Sequence, residues 1–276
     1  MSRRFVLLLA AMAASCGAPL MKLPSGPGAP VSAADADASL AQATASCQAL
    51  RTLTAEVAVS GSAGGHRLRG RLSAGVAAPA SARLEAIAPF GPPLFIFVAT
   101  GDEATLLLPR DDRALEHGRA DAVLDAVAGV PLGAADLEAI LTGCAPGGEP
   151  GPVQARQFGD AWRQLTRASG DDLYLRREKT GEPWVLAALV RRSGSGAWRT
   201  EYRDRRNGLP RTIRVASLGD ARSPGAFDLQ LVLSQVETNV PLDASAFRLA
   251  IPASAAPISL DELRRNGPLA PKPDGP

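Results

Sequence analysis

The sequence predicts a mainly β (α+β) fold, one long and strongly curved antiparallel sheet with helices against its concave side. Three observations carry that expectation. From residue 53 onward apolar positions recur with period two, in runs separated by turn-forming Gly, Ser, Asn and Asp. The pattern switches once to helical spacing, over 120–143, and then returns to strands. About eleven strands are expected, most of them close enough in sequence to be joined as hairpins and hence antiparallel. A single interruption by two short helices does not fit a sandwich, whereas it suits a bent sheet with a plugged concave face.

The chain has 276 residues, and 1–15 read as a secretion signal. Arg3 and Arg4 precede the apolar run Phe5-Val6-Leu7-Leu8-Leu9-Ala10-Ala11-Met12, and Ala13-Ala14-Ser15 leads into Cys16. The run is too short for a transmembrane helix. A cysteine at this place can receive a diacylglycerol, so the mature chain is expected to begin at a lipidated, N-acylated Cys16. No other cofactor is expected. Gly17 rather than Asp follows, as in lipoproteins destined for the outer membrane. Residues 16–37 are rich in Pro, Gly, Ser and Ala and read as a flexible tether. One domain is expected over 38–250, with a partly disordered C-terminal extension over 251–276.

Losing Arg3 and Arg4 with the signal takes the formal net charge from +2 to zero. A neutral domain has no long-range field for nucleic acid, and 4% aromatic residues leave little for base stacking. Beyond Cys16 only Cys47 and Cys144 remain. In an exported protein such a pair favours a disulfide, the alternative being two buried thiols.

Asp35 to Leu50 lacks Gly and Pro and predicts a docked helix with Leu40, Ala43 and Cys47 on one side. Strands follow at 54–61, 64–76 and 80–88. Leu94-Phe95-Ile96-Phe97-Val98 is apolar throughout and predicts a strand buried on both faces. Strands at 103–109 and 113–117 complete a meander. Ala120 to Gly129 places Val123, Leu124 and Val127 on one side of a helix, and Gly133 to Gly143 does the same with Leu137, Ile140 and Leu141. Gly129 and Gly143 read as helix stops. After a loop at 145–157, strands are expected at 160–168, 172–178, 183–192, 197–205, 209–217 and 226–238, with short helical stretches at 242–247 and 259–265.

Catalytic and metal chemistry find little support. His66 and His117 have no Cys, Asp or Glu at metal-ligand spacing, so no metal site is expected. No nucleophile elbow, P-loop or dinucleotide fingerprint is present. Asp111-Asp112 and Asp171-Asp172 fall in expected turns, where Asp is favoured locally. Arg191, Arg192, Arg199, Arg203, Arg205 and Arg206, with Glu201 and Asp204, suggest a salt-bridged solvent face. The unusual segment is Ala86-Ile87-Ala88-Pro89-Phe90-Gly91-Pro92-Pro93, a turn with a bulky apolar residue at its tip. Exposing a Phe costs about 2 kcal/mol. Either Phe90 enters a membrane or a partner's groove, or it folds back onto the sheet.

At these residues the chain resembles the LolB family of outer-membrane lipoprotein receptors, within the LolA/LolB-like carriers. The likeness begins at the lipobox and tether and continues through Arg83-Leu84-Glu85-Ala86-Ile87-Ala88-Pro89-Phe90-Gly91. It is most specific over 120–143, with the Gly129-Val130-Pro131 connector and the terminal Leu141-Thr142-Gly143. It covers about residues 40–240. The resemblance implies an incomplete β-barrel of eleven antiparallel strands whose helices cover an apolar cavity. It implies acylated lipoproteins as cargo, a periplasmic LolA-like carrier as donor, and the inner leaflet of the outer membrane as acceptor. Pro89, Phe90 and Gly91 then correspond to the loop needed for release. The cavity would be lined by Val123, Leu124, Val127, Leu137, Ile140 and Leu141 from the helices, and by Leu94, Ile96 and Val98 from a strand. A non-enzymatic monomer is expected. Phe at the tip, two further prolines, the Cys47–Cys144 pair and a longer C-terminus depart from the family pattern. The competing readings are a carrier of a different lipid and a structural envelope lipoprotein with a filled barrel.

Overall fold

The structure, a computed structural model, describes residues 19–145, 151–192, 196–220, 223 and 225–269. The signal sequence and Cys16 therefore lie outside the described residues, as do 270–276.

After a two-residue strand β1 (Ala29–Pro30) and helix α1 (Ala33–Ala43), the chain enters a meander. It consists of β2 (Thr52–Ala63), β3 (His66–Ala77), β4 (Ser81–Ile87), β5 (Ile96–Thr100), β6 (Glu103–Leu108) and β7 (Arg113–Arg119). Helices α2 (Ala120–Ala128) and α3 (Ala134–Thr142) come next. The second meander is β8 (Gln154–Phe158), β9 (Trp162–Thr166), β10 (Asp172–Arg176), β11 (Val185–Arg191), β12 (Trp198–Arg203), β13 (Thr212–Ser217) and β14 (Phe227–Thr238). A short strand β15 (Ala256–Pro257) and helix α4 (Leu260–Asn266) end it.

Among the described residues all fifteen strands form one open sheet in the order β1-β8-β9-β10-β11-β12-β13-β14-β2-β3-β4-β5-β6-β7-β15. Pairing β14 with β2 joins the two meanders antiparallel, and only β15 on β7 runs parallel. Thirteen strands are five residues or longer, against the eleven or so expected. β8 lies inside the expected 145–157 loop and its continuation. β1 and β15, at two residues each, are too short to show any period.

The core lies on the concave face. Leu53 and Val57 of β2, Val76 of β3, Leu84 of β4, Phe97 of β5 and Leu106 of β6 alternate inward and are almost fully buried. From the second meander Leu165, Leu173, Leu175, Leu186, Leu189 and Ile213 meet them. The helices cover this face. α3 packs on β3 and β4, α2 on β6 and β7, and α1 on β8, β10 and β11. Each of α2 and α3 stops where expected, because Gly129 and Gly143 take φ of +69° and +68° that a side chain would strain.

The described residues near both termini dock on the sheet, and the helical stretch expected at 259–265 is present as α4. The tether is not free from residue 19 on, since its backbone crosses the outer face of the sheet. The Met21 N–H donates to Glu201 Oε1 at 2.7 Å, Arg203 donates to the Pro19 carbonyl at 3.0 Å, and Leu23 packs on Tyr174, Ala188 and Val190. The arginine face predicted to be solvated is thus covered in part. Glu201 is fully buried between Arg199 and Arg203. Residues 251–269 are also ordered. Arg113 holds Glu262 at 2.8 Å, and Leu263 is fully buried. At the N-terminal end a segment without a periodic apolar face reads as loose, yet a few buried contacts on a large sheet suffice to dock it.

Candidate functional site

An apolar cavity of about 160 Å³ lies between the concave sheet and the two-helix cover. Its floor is formed by Val57, Leu72, Leu84 and Ala86, and its far wall by Val215, Leu229 and Leu231. Leu124, Leu137, Ile140 and Leu141 close it from above. Apart from Arg69 and Arg71 at one end, every lining side chain is apolar. Away from those two side chains the space has nothing to offer a charged or hydrogen-bonding group, because burying an unpaired polar group costs several kcal/mol. It suits hydrocarbon. It is smaller than the roughly 300–1,000 Å³ of small-molecule sites, so as it stands it admits only part of a long chain.

The cover is tied down unevenly. At the end of α3 a disulfide joins Cys47 to Cys144, with Cα atoms 5.8 Å apart. Tyr202 of β12 donates its hydroxyl to the Ala139 carbonyl at 3.1 Å, and burial pushes its pKa up. Asp136 accepts from the Gly133 N–H at 3.0 Å and from the Arg191 guanidinium. α3 therefore spans the concave face, seated on β3 and β4 and bonded to β11 and β12 beyond them. α2 is held mainly by apolar contact and by α4.

Burial raises the Asp136 carboxyl above its ordinary range, and the neighbouring Arg191 charge offsets this only in part. A raised carboxyl favours the folded state when protonated. Its contribution is fully present below the unfolded pKa and is lost as pH rises through the raised folded value. Asp136→Asn, which keeps an oxygen acceptor and removes the titration, should flatten the pH dependence of stability in that acid window. Chemical denaturation across pH 3–7 reads it, and an unchanged slope refutes the assignment.

The structure separates the expected cavity residues. Leu124, Leu137, Ile140 and Leu141 line the space, as does Leu94. Val123 and Val127 do not; they are buried in the core. Val123 lies close over Gly118, where a Cβ would come within 2.4 Å of its Cγ2. Ile96 and Val98 are a correction of parity. Register pairs Ile96 with Glu85 and Val98 with Arg83, on the outer face, while Phe97 pairs with Leu84 on the inner one. The run is apolar on both faces because residues 244–247 cover part of the outer side of β4 and β5.

Pro89, Phe90 and Gly91 are all exposed. Phe90 is 88% exposed, so the alternative in which it folds back onto the sheet is not adopted. Arg110 fixes the loop by donating to the Phe90 carbonyl and, at 3.1 Å, to the Pro92 carbonyl. Leu94 and Phe95 follow directly and line the cavity, so the exposed tip and the apolar space share one connection. His117 is exposed and meets Glu103 at 2.6 Å, whose carboxylate raises its pKa.

Leu68, Leu72, Leu229 and Leu231 also line the cavity, and their alternation in β3 and β14 was a readable signal. Leu269, beyond α4, reaches it too and had none.

No protein-family model matches the sequence, and no curated protein matches it by sequence. Solved structures do match. The LolA superfamily protein NE2245 from Nitrosomonas europaea aligns with a TM-score of 0.53 and 13% identity, over 78% of this chain and 97% of that one. A DUF1329 family protein from Desulfovibrio piger gives 0.49 and 11%, over 77% and 97%. An outer membrane lipoprotein-sorting protein domain from Vibrio parahaemolyticus gives 0.47 and 11%, with the same coverage. The open antiparallel sheet, its helix-covered concave face and the first of these alignments together assign the chain the fold of the LolA superfamily.

Proposed function

We propose that this chain is a lipid-anchored receptor of the bacterial envelope that takes the acyl chains of lipoproteins into its cavity and passes them to the outer membrane. The observation that carries the reading is the apolar cavity under α2 and α3, connected through Leu94 to the exposed tip at Phe90. The donor would be a periplasmic carrier of the same fold, and the anchor a diacylglycerol and N-acyl chain on Cys16. The work is binding rather than catalysis, done by a monomer.

Energetics favour capture without polar chemistry, at about 0.8 kcal/mol per buried methylene. Cargo with more than one chain needs more room than 160 Å³, so the cover must lift. α2 is the element free to move, since α3 is bonded across the sheet at Asp136, Ala139 and Cys144. Release follows when the bilayer offers the same chains an equally dry place.

The test is uptake of a synthetic acylated peptide by the chain from Gly17 on, which retains every described residue. One-to-one binding that displaces a fluorescent acyl probe is expected. A cavity that never takes up an acyl chain ends the reading. Recovery of a free lipid but never of an acylated peptide would favour the other lipid carrier.

A further inference from the structure

β3 stands partly outside the shelter of its neighbour. β4 pairs with it only from Arg71 onward, opposite Ile87, and residues 66–70 have no strand on that side. Along this stretch Arg67, Arg69 and Arg71 project from the outer face, and all three are exposed. None of the three guanidinium groups has an ion pair or hydrogen bond among the described residues. They differ in this from Arg83 and Arg214 on the neighbouring outer surface, each of which faces a carboxylate. On the neighbouring outer surface Glu85 is taken by Arg83 and Asp228 by Arg214, which leaves Glu56 as the nearby uncommitted acid. The strip is positive in a protein whose signal-free chain is neutral.

Apolar groups stand in the same place. Ile87 pairs with Arg71 and is 43% exposed. Val232 lies in the same cross-strand row, through Ala58, and is 41% exposed. Phe90 follows Ile87 by three residues. Arg69, Arg71 and Ile87 also border the cavity, so this surface rims its open end.

We propose that the outer face of β3, with Ile87 and Phe90, is a docking surface for a bilayer containing anionic phospholipid. The guanidinium groups take headgroup phosphates, for which their planar fork is suited, and Phe90 enters the acyl boundary. The exposed apolar side chains are costly in water, and the hydrated guanidinium groups beside them gain attraction at an anionic interface. The proposal deepens the transport reading, since it seats the cavity rim on the acceptor membrane. Its test is nevertheless independent of cargo.

The chain from Gly17 on is floated with phosphatidylcholine vesicles, with and without phosphatidylglycerol, in the absence of any acyl ligand. Binding is expected to rise with phosphatidylglycerol and to weaken as salt is added. Arg67→Gln/Arg69→Gln/Arg71→Gln should lose about fivefold per arginine, on the order of a hundredfold in all, on anionic vesicles only. Phe90→Ser should weaken binding to both vesicle types, and Arg176→Gln, on another strand, should do neither. If the triple variant does not fold, Arg67→Gln alone should still show the fivefold loss. Binding indifferent to phosphatidylglycerol overturns the proposal. So does an anionic preference that survives loss of the arginines, as it would if they serve an acidic protein instead. Either failure leaves acyl uptake standing, and a failure of uptake leaves this result untouched.

Discussion

Replacing Cys47 and Cys144 together with serine should lower the free energy of unfolding by about 4–5 kcal/mol. The bond closes a loop of 97 residues, and the entropy that such a constraint removes from the unfolded chain is of that size. In a domain this large each kcal/mol moves the midpoint by about 2–4 °C, so thermal unfolding should shift by about 10 °C or more. The same shift should appear in the unaltered protein on reduction. The structural consequence is local, because Cys144 follows α3 directly and Cys47 ends the turn after α1. Without the bond α3 keeps Tyr202 and Arg191 but loses the tie at its last turn. Hydrogen exchange should therefore rise first over 137–144. A loss under 1 kcal/mol with unchanged exchange would mean that the other ties already hold the cover.

Ala86→Phe should abolish most acyl binding while leaving the fold intact. Ala86 is buried on the inner side of β4, lines the cavity, and is held by backbone hydrogen bonds to Leu94 and Phe95. A phenyl ring there occupies space that hydrocarbon would fill. Excluding four or five methylenes forfeits about 3–4 kcal/mol, equivalent to several hundredfold in affinity. Overpacking a buried site costs about 1–3 kcal/mol of stability, which a large, disulfide-linked domain withstands. Titration with a fluorescent acyl probe, with the melting temperature as control, reads both effects. A folded variant that binds as tightly as the parent would place the ligand elsewhere.

These two substitutions act on the same cover from opposite sides. The disulfide sets how firmly α3 is seated, whereas Ala86 sets how much room lies beneath it. A cavity of 160 Å³ takes the several acyl chains of the proposed cargo only if the cover moves.

Much of this was legible in the residues. Period-two alternation marks β2, β3 and β14, and helical spacing with Gly stops marks α2 and α3 almost to the residue, because both patterns are local and one face of each element is dry. The proline-rich turn around Phe90 is equally visible. What failed was parity and docking. Leu94 to Val98 is apolar at every position, so the residues alone did not say which side faces the cavity. Cross-strand register decided it, placing Phe97 with Leu84 inside and Ile96 and Val98 outside. The same limit applied to Val123 and Val127, which share a helix side with Leu124 yet fill the core.

The amino-acid order by itself determined the kinds of elements, their succession and the apolar character of the concave face, since each depends on neighbours a few positions apart. The tertiary structure alone decided that residues 19–31 and 251–269 are docked, that Glu201 is buried between two arginines, and that Arg67, Arg69 and Arg71 stand unpaired beside Phe90. Those outcomes depend on segments up to 184 residues apart meeting across a curved sheet, and sequence spacing carries no signal of such meetings.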